Sequence, residues 1–324
     1  MIELRSICKT YRVARRGAGL GQAVKALFSR EYTTIEALRD VSFTIGDGEM
    51  VGYIGPNGAG KSTTIKIMCG ILTPDSGSCL IDGQTPWRDR KTHVRRIGVV
   101  FGQRSQLWWD VPVEDSFELL RDIYRMEPAV YRRNLEELTA LLKLEQLLRS
   151  PTRTLSLGQR MRCEIAASLL HDPQYLFLDE PTIGLDAVSK LAVRDFIRQR
   201  NREHGTTVIL TTHDMQDVEA LAQRVMLIGR GQILLDGDLD TLRSHAVSHK
   251  RLTVSYDGPA PTLCAGLTAG QCLPGRLELL LDPTVLPVPD AIAHLSAQTE
   301  LRDLSVTGPS TEEVVASVYR EYGI

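Results

Sequence analysis

The 324-residue sequence has no apolar run approaching the roughly 18 to 20 residues that a membrane-crossing helix needs. No part of it is expected to form a pore. It has no Cys-x-x-Cys pair: Cys8, Cys69, Cys79, Cys163, Cys264 and Cys272 stand apart, without metal-ligand spacing to any histidine. They read as free thiols, largely in apolar settings, rather than a disulfide frame or a zinc site. It has no excess of either charge, with 38 Lys plus Arg against 40 Asp plus Glu and a net charge of -2. That balance removes the overall basic footprint of a nucleic-acid binder. Its opening stretch, Met1 to Arg12, has no apolar signal segment, so the chain is expected to stay in the cytoplasm. Repeats and low-complexity tracts are also missing. The one local charge asymmetry is Arg5, Lys9, Arg12, Arg15, Arg16, Lys25 and Arg30, a solvated face or a surface favouring an anionic membrane.

What is present centres on Val51 to Met68, VGYIGPNGAGKSTTIKIM. A hydrophobic approach, a glycine-rich turn and Lys-Ser-Thr read as strand, loop and helix start, the arrangement of a phosphate cradle. Glycines let successive backbone N–H groups point at phosphate oxygens, and the helix N-terminus adds unpaired donors. Lys61 is expected to reach the β- and γ-phosphates, and the Ser62 hydroxyl to ligate Mg²⁺. A nucleoside triphosphate is the expected ligand.

Ile2 to Leu4, Ser6 to Tyr11 and Val41 to Ile45 alternate as strands of a small antiparallel sheet, interrupted by Arg15 to Tyr32 with a short amphipathic helix around Gln22 to Phe28. Tyr11 can stack on adenine or pack on a neighbouring strand. Ile97 to Phe101 is a strand, and the Gln103 amide just past it can contact Mg²⁺ or a water. Trp108 and Trp109 are two of only three tryptophans, and neighbours on extended chain cannot both face one core, so at least one ring is expected on a partner surface. Val113 to Tyr124 and Ala129 to Leu142 carry helical spacing and form a helical insert.

Leu155 to Arg160, LSLGQR, caps a helix from Gln159 to Leu170. Ser156 and its N–H groups form a second anion site, better placed for a partner subunit's nucleotide because the turn before Lys61 already fills this chain's phosphate end. Gln174 to Asp179 is a buried strand closing on two carboxylates, Asp179 to hold the Mg²⁺ shell and Glu180 to polarise water. Thr206 to Thr212 repeats the pattern and ends at His213, able to donate to the γ-phosphate or orient the water. A hairpin follows over 225–235. Beyond Ser244 the strands Leu252 to Tyr256 and Leu277 to Leu281, and a capping box at Ser310 to Glu313, read as a small appendage.

By the order and spacing of Tyr11, Gly55 to Thr63, Gln103, Leu155 to Gln159, Asp179-Glu180, Gly184-Leu185-Asp186 and His213, the chain resembles the cytoplasmic ATPase subunits of ATP-binding cassette transporters over about Met1 to Arg243. Its GPNGAGKSTTIK and FGQRSQLWWD runs and short extension are similar to ATPase components of bacterial type-2 exporters. The resemblance implies an α/β P-loop nucleotide hydrolase over 1–243, with an antiparallel subdomain and a helical insert at about 104–170, then an α+β unit over 244–324. It implies Mg²⁺ and ATP held by Tyr11, Gly55, Asn57, Gly58, Gly60, Lys61, Ser62 and Thr63, with the metal on Ser62, Gln103 and Asp179. It further implies catalysis by Glu180, His213, Lys61 and Gln103, and a head-to-tail homodimer in which Ser156, Gly158 and Gln159 of a second copy close each site.

Separate permeases would dock through Gln103, Leu107, Trp108, Trp109 and the insert, keeping the chain peripheral at the cytoplasmic face of the membrane. One position departs from the family's Leu-Ser-Gly-Gly-Gln: Leu157 is expected to lose easy access to positive φ and to add bulk beside phosphate. A cassette acting on nucleic acid or translation machinery would be marked by long coiled coils, a zinc cluster or duplicated cassettes, and none is present. An ATP-gated regulator at the membrane would share every ATP-site residue.

Overall fold

Apolar residues at Val41, Phe43 and Ile45 are buried while their neighbours face out, the period of a strand covered on one side. They belong to β2 (Tyr32–Ile45), which pairs antiparallel with β1 (Ile2–Ala14); β1 pairs in turn with β4 (Ser76–Ile81). Both long strands exceed their expected lengths, with register shifts absorbing the irregular alternation. The computed structural model describes residues 1–14, 32–102, 104–244 and 249–324. The helix expected at Gln22 to Phe28, the basic residues Arg15, Arg16, Lys25 and Arg30, and Gln103 lie outside the described residues.

Two compact units are present, Met1–Gly237 and Asp238–Ile324. In the first, β3 (Met50–Ile54), β6 (Tyr175–Asp179) and β7 (Thr207–Thr212) are runs buried almost throughout, as parallel strands covered on both faces must be. With β5 (Ile97–Phe101), β8 (Arg224–Gly229) and β9 (Gln232–Gly237) they form a sheet in the order β5-β6-β7-β3-β8-β9, parallel except for the β8-β9 hairpin. Alternate side chains serve two cores. Leu176, Leu178, Val208 and Leu210 join the cluster that also holds Val113, Phe117 and Leu138 of the insert. Tyr53, Tyr175, Phe177 and Ile209 join the cluster under the antiparallel sheet.

Helix α1 (Lys61–Met68) follows β3, and the short α2 (Arg90–Val94) precedes β5. The insert consists of α3 (Val113–Tyr124) and α4 (Pro128–Leu142), the latter opening on a proline whose missing N–H costs nothing in the first turn. Helix α5 (Leu157–Leu169) is capped by Ser156 with a reciprocal capping box to Gln159. Helices α6 (Ala187–His204) and α7 (Met215–Leu221) follow β6 and β7, capped by Asp186 and Asp214.

In the second unit β10 (Lys250–Asp257), β11 (Leu267–Leu273), β12 (Arg276–Leu281) and β13 (Glu300–Thr307) form an antiparallel sheet ordered β11-β12-β10-β13. Leu252, Val254, Leu279 and Leu281 make its core with Ala291 and Leu295 of α9 (Val288–Ser296). This unit begins at Asp238, earlier than the expected 244, because α8 (Leu239–Ser244) packs with α10 (Thr311–Glu321). Strands β11 and β13 and helix α9 have no counterpart in the sequence reading. β11 carries Ala-Gly-Gln, β13 is charged, and the prolines before α9 read as loop yet sit at its cap and first turn.

All six cysteines are free thiols. Cys69, Cys79 and Cys163 are buried, and burial pushes the last two thiols up to about 12. Cys264 is half-buried against the core of the second unit, so four of the six have the apolar setting expected; Cys8 is half-buried and Cys272 exposed.

Candidate functional site

The parallel register brings four strand ends level. Asp179 of β6 pairs with Phe101 of β5 on one side and Thr211 of β7 on the other, and Ile54 stands beside Thr212. The residues that follow, Gly55, Gly102, Glu180 and His213, therefore open on one carboxyl edge, where α/β sheets place ligands. There they line a cleft of about 750 Å³ together with Pro56 to Thr63, Ile35, Ala37, Lys66, Ile71, Arg104, Asp179 and Ile183.

The floor of this cleft is the loop from β3 to α1. Gly60 holds φ 114, and a Cβ there would sit 2.7 Å from the Ala37 carbonyl oxygen, so only glycine lets the loop turn under β2. Lys61 is buried, its Nζ donating to the carbonyls of Gly55 at 2.5 Å and Pro56 at 3.2 Å. Burial pulls its ammonium below the ordinary value, while the carboxylates of Glu180 and Asp179 push back.

Ser62 Oγ donates to Asp179 Oδ2 at 3.1 Å, and Thr211 Oγ1 donates to Oδ1 at 2.5 Å. His213 Nδ1 lies 3.3 Å from Glu180 Oε1. Glu180 has φ 56, the left-handed region, and its N–H donates to the Thr211 carbonyl at 3.0 Å. The approach of β5 depends on Gly102, where a Cβ would meet the Glu180 carbonyl oxygen at 2.6 Å.

Lys61, Ser62, Thr63, Gly55, Asn57, Gly58, Gly60, Asp179, Glu180 and His213 are thus brought together, and Gln103 lies outside the described residues. Tyr11 does not line the cleft; Ile35, directly opposite it in the β1-β2 pair and so on the same face, does. Ser156, Gly158 and Gln159 are also absent from the lining. Ser156 Oγ accepts the Gln159 N–H, the Gln159 side-chain oxygen accepts the Ser156 N–H, and Gly158 is buried where a Cβ would meet Ser189 Oγ at 2.6 Å.

Two expectations are corrected here. Leu157 is the first residue of α5 with a right-handed backbone, so positive φ is not asked of it; its side chain leans on Gly184, where a Cβ would lie 2.7 Å from Leu157 Cδ2. Leu107 is 4 % exposed and belongs to the core of the insert, so it presents no surface to a permease. Trp108 and Trp109 are 58 % and 52 % exposed, with the Arg160 guanidinium 5.8 Å over the Trp109 ring.

Thr211, Gly102 and Arg104 were not singled out in the sequence. Thr211 left no distinguishing trace there, as one of four threonines flanking Val208 to Leu210, and Gly102 depends on a neighbour distant in the chain.

A phosphate loop, two acidic groups and a histidine on one sheet edge, beside an antiparallel subdomain and a helical insert, define a cassette-type nucleoside triphosphatase. Residues 38–183 match the ABC transporter family. The chain is 32% identical over 293 residues to the doxorubicin resistance ATP-binding protein DrrA of Mycobacterium tuberculosis, covering 86% of this chain and 87% of that one. It is 32% identical over 217 residues to a probable sulfate/thiosulfate import ATP-binding protein of Chlorella vulgaris, covering 67% of this chain and 91% of that one. Among solved structures, a dimeric ATP-binding cassette in a post-hydrolysis state with ADP and phosphate superposes with a TM-score of 0.62 at 28% identity, over 74% of this chain and 99% of that one. The chain belongs to the ABC transporter ATP-binding proteins: it is the ATP-hydrolysing subunit of a membrane transporter.

Proposed function

We propose that two copies of this chain sandwich two ATP molecules and drive an exporter whose separate permeases dock on Trp108, Trp109 and the insert. The observation that carries the reading is the convergence of Lys61, Asp179, Glu180 and His213 on one cleft. ATP enters with its phosphates on the Gly55–Thr63 loop, where the α1 N-terminus and Lys61 meet their charge. Adenine rests toward Ile35 and Tyr11, which share a sheet face. Ser156 and Gly158 of the second copy complete each site at the capped start of α5, and dimeric cassettes among the solved relatives support that arrangement.

Ser62 Oγ and Asp179 Oδ2 stand 3.1 Å apart in the cleft, hard oxygen donors of the kind Mg²⁺ takes, so the pair fits this metal: Ser62 would hold it directly and Asp179 through a water. Held there, Mg²⁺ would supply charge neutralisation on the β- and γ-phosphate oxygens. Thr211 fixes the other Asp179 oxygen. Glu180 takes the proton of the attacking water as its oxygen bonds to the γ-phosphorus and the bond to ADP breaks, and His213 orients the Glu180 carboxylate.

Export is favoured over import because the DrrA match, at 293 residues, is longer than the cassette unit and so runs into the C-terminal unit. The importer match, at 217 residues, is shorter than the cassette alone. No helix among the described residues is long and apolar enough to cross a membrane, consistent with a peripheral place on the cytoplasmic face through permeases. Replacing Glu180 by Gln is expected to stop turnover and leave an ATP-bound dimer; unchanged hydrolysis in that variant contradicts the assignment.

A further inference from the structure

Asp217 is wholly buried on α7, four residues past His213, and the reading above gives it no role. Its carboxylate gathers groups from three elements. Thr182 Oγ1 donates to Oδ2, as does Thr212 Oγ1 at 3.3 Å. Arg194 of α6, itself buried, donates from Nε to Oδ1 at 2.6 Å, with Nη2 at 2.5 Å from the same oxygen. Thr182 stands two residues after Glu180, and Thr212 immediately precedes His213. Thr212 Oγ1 also accepts the Asp214 N–H at 2.9 Å, and Lys190 of α6 pairs with Asp214 at 2.5 Å. One carboxylate thus fastens both loops that carry the water-orienting pair.

Stability alone is a poor reason for this arrangement, since a buried ion pair is commonly matched or bettered by apolar residues of the same volume. Geometry is a better one. Glu180 sits at φ 56, a conformation that persists only where the surroundings over-determine it; Asp179, held by Ser62 and Thr211, anchors the chain on one side of it, and the Thr182 hydroxyl anchors it on the other.

We infer that Asp217 is a positioning residue for ATP hydrolysis, setting the Glu180–His213 contact through Thr182 and Thr212. The inference rests on the reading that this pair orients the attacking water. Thr182→Val removes one hydroxyl, preserves shape and leaves the Arg194–Asp217 pair intact, so the variant folds. Its kcat is expected to fall about ten- to a hundredfold, as small misplacements of catalytic groups do, with KM for ATP changed by less than about twofold. Its thermal midpoint stays near that of the parent, and Thr182→Ser restores kcat. Asp217→Asn, which keeps the volume, follows Thr182→Val in kcat.

Parental kcat in Thr182→Val, a loss that falls on KM instead, or Thr182→Ser no better than Thr182→Val overturns the inference. Glu180→Gln separates the two levels. If that variant hydrolyses ATP at the parental rate, the underlying reading fails; if it is dead while Thr182→Val is normal, the positioning role alone fails.

Discussion

His213 Nδ1 stands 3.3 Å from Glu180 Oε1, although the two residues close different strands, β7 and β6. Parallel register makes the meeting possible, because Asp179 pairs with Thr211, so Glu180 leaves β6 level with Thr212 and His213 follows one residue later. His213→Ala is expected to lower kcat about 10²- to 10⁴-fold, the range of a lost proton-transfer or orienting group, with nucleotide affinity kept. Steady-state hydrolysis read beside equilibrium binding of a fluorescent ATP analogue checks the split.

The loop under β2 leaves no room for a side chain at Gly60. Gly60→Ala combines a left-handed backbone with a methyl group 2.7 Å from the Ala37 carbonyl oxygen and from Leu38 Cδ2. The expected cost is about 1 to 3 kcal/mol of stability together with loss of ATP binding. Thermal melts with and without ATP measure both, and a parental midpoint with a normal ATP-induced rise contradicts the loop geometry.

Trp108 and Trp109 lie on the surface, away from the cleft lining. Trp108→Ala with Trp109→Ala is expected to leave hydrolysis by the purified chain within about twofold, since exposed rings add little to the fold. Capture of the cognate permeases from detergent-solubilised membranes should fall sharply. Equal recovery by the parent and the double variant removes these rings from the docking surface.

Acid sensitivity should come in part from His171. Its ring stacks on Tyr124 at 3.9 Å and its Nε2 meets the Ile97 carbonyl at 2.9 Å, and burial drives its pKa from 6.5 down to about 4. Above pH 6.5 the ring is neutral in both folded and unfolded chains and has no effect on pH dependence. Between there and pH 4 the unfolded chain takes up a proton that the folded one refuses, so stability falls as pH falls and the loss is complete near the folded value. The contribution is roughly 3 kcal/mol. His171→Phe keeps the stack and cannot titrate, so urea midpoints of variant and parent should converge toward low pH relative to pH 7.5, or cross.

Much of this was legible in the chain itself. Strict β-alternation at Val41 to Ile45, apolar runs at β6 and β7, and the glycine spacing before Lys61 each have a local physical cause, and the structure follows them. What was not legible depends on partners remote in sequence. Leu107 reads like its tryptophan neighbours until the insert folds over it. Leu157 looked like a misfit in a glycine position until α5 took it as its first helical residue and Gly184 made room for it. The left-handed Glu180 and the Asp217 cluster leave no local mark at all, because both are set by the meeting of β6, β7, α6 and α7.

The central claim, a site shared between two copies, is tested most directly by mixing two inactive variants. Lys61→Ala lacks the phosphate ammonium of its own cleft, and Ser156→Arg blocks the turn offered to a second copy. Mixed dimers hold one intact site, made of Lys61 from one variant and Ser156 from the other. Hydrolysis in a one-to-one mixture should rise to about a quarter of the parental rate, since half the dimers are mixed and each carries one of two sites. Activity that stays at the level of the separate variants at every ratio, with both proteins folded, contradicts the account.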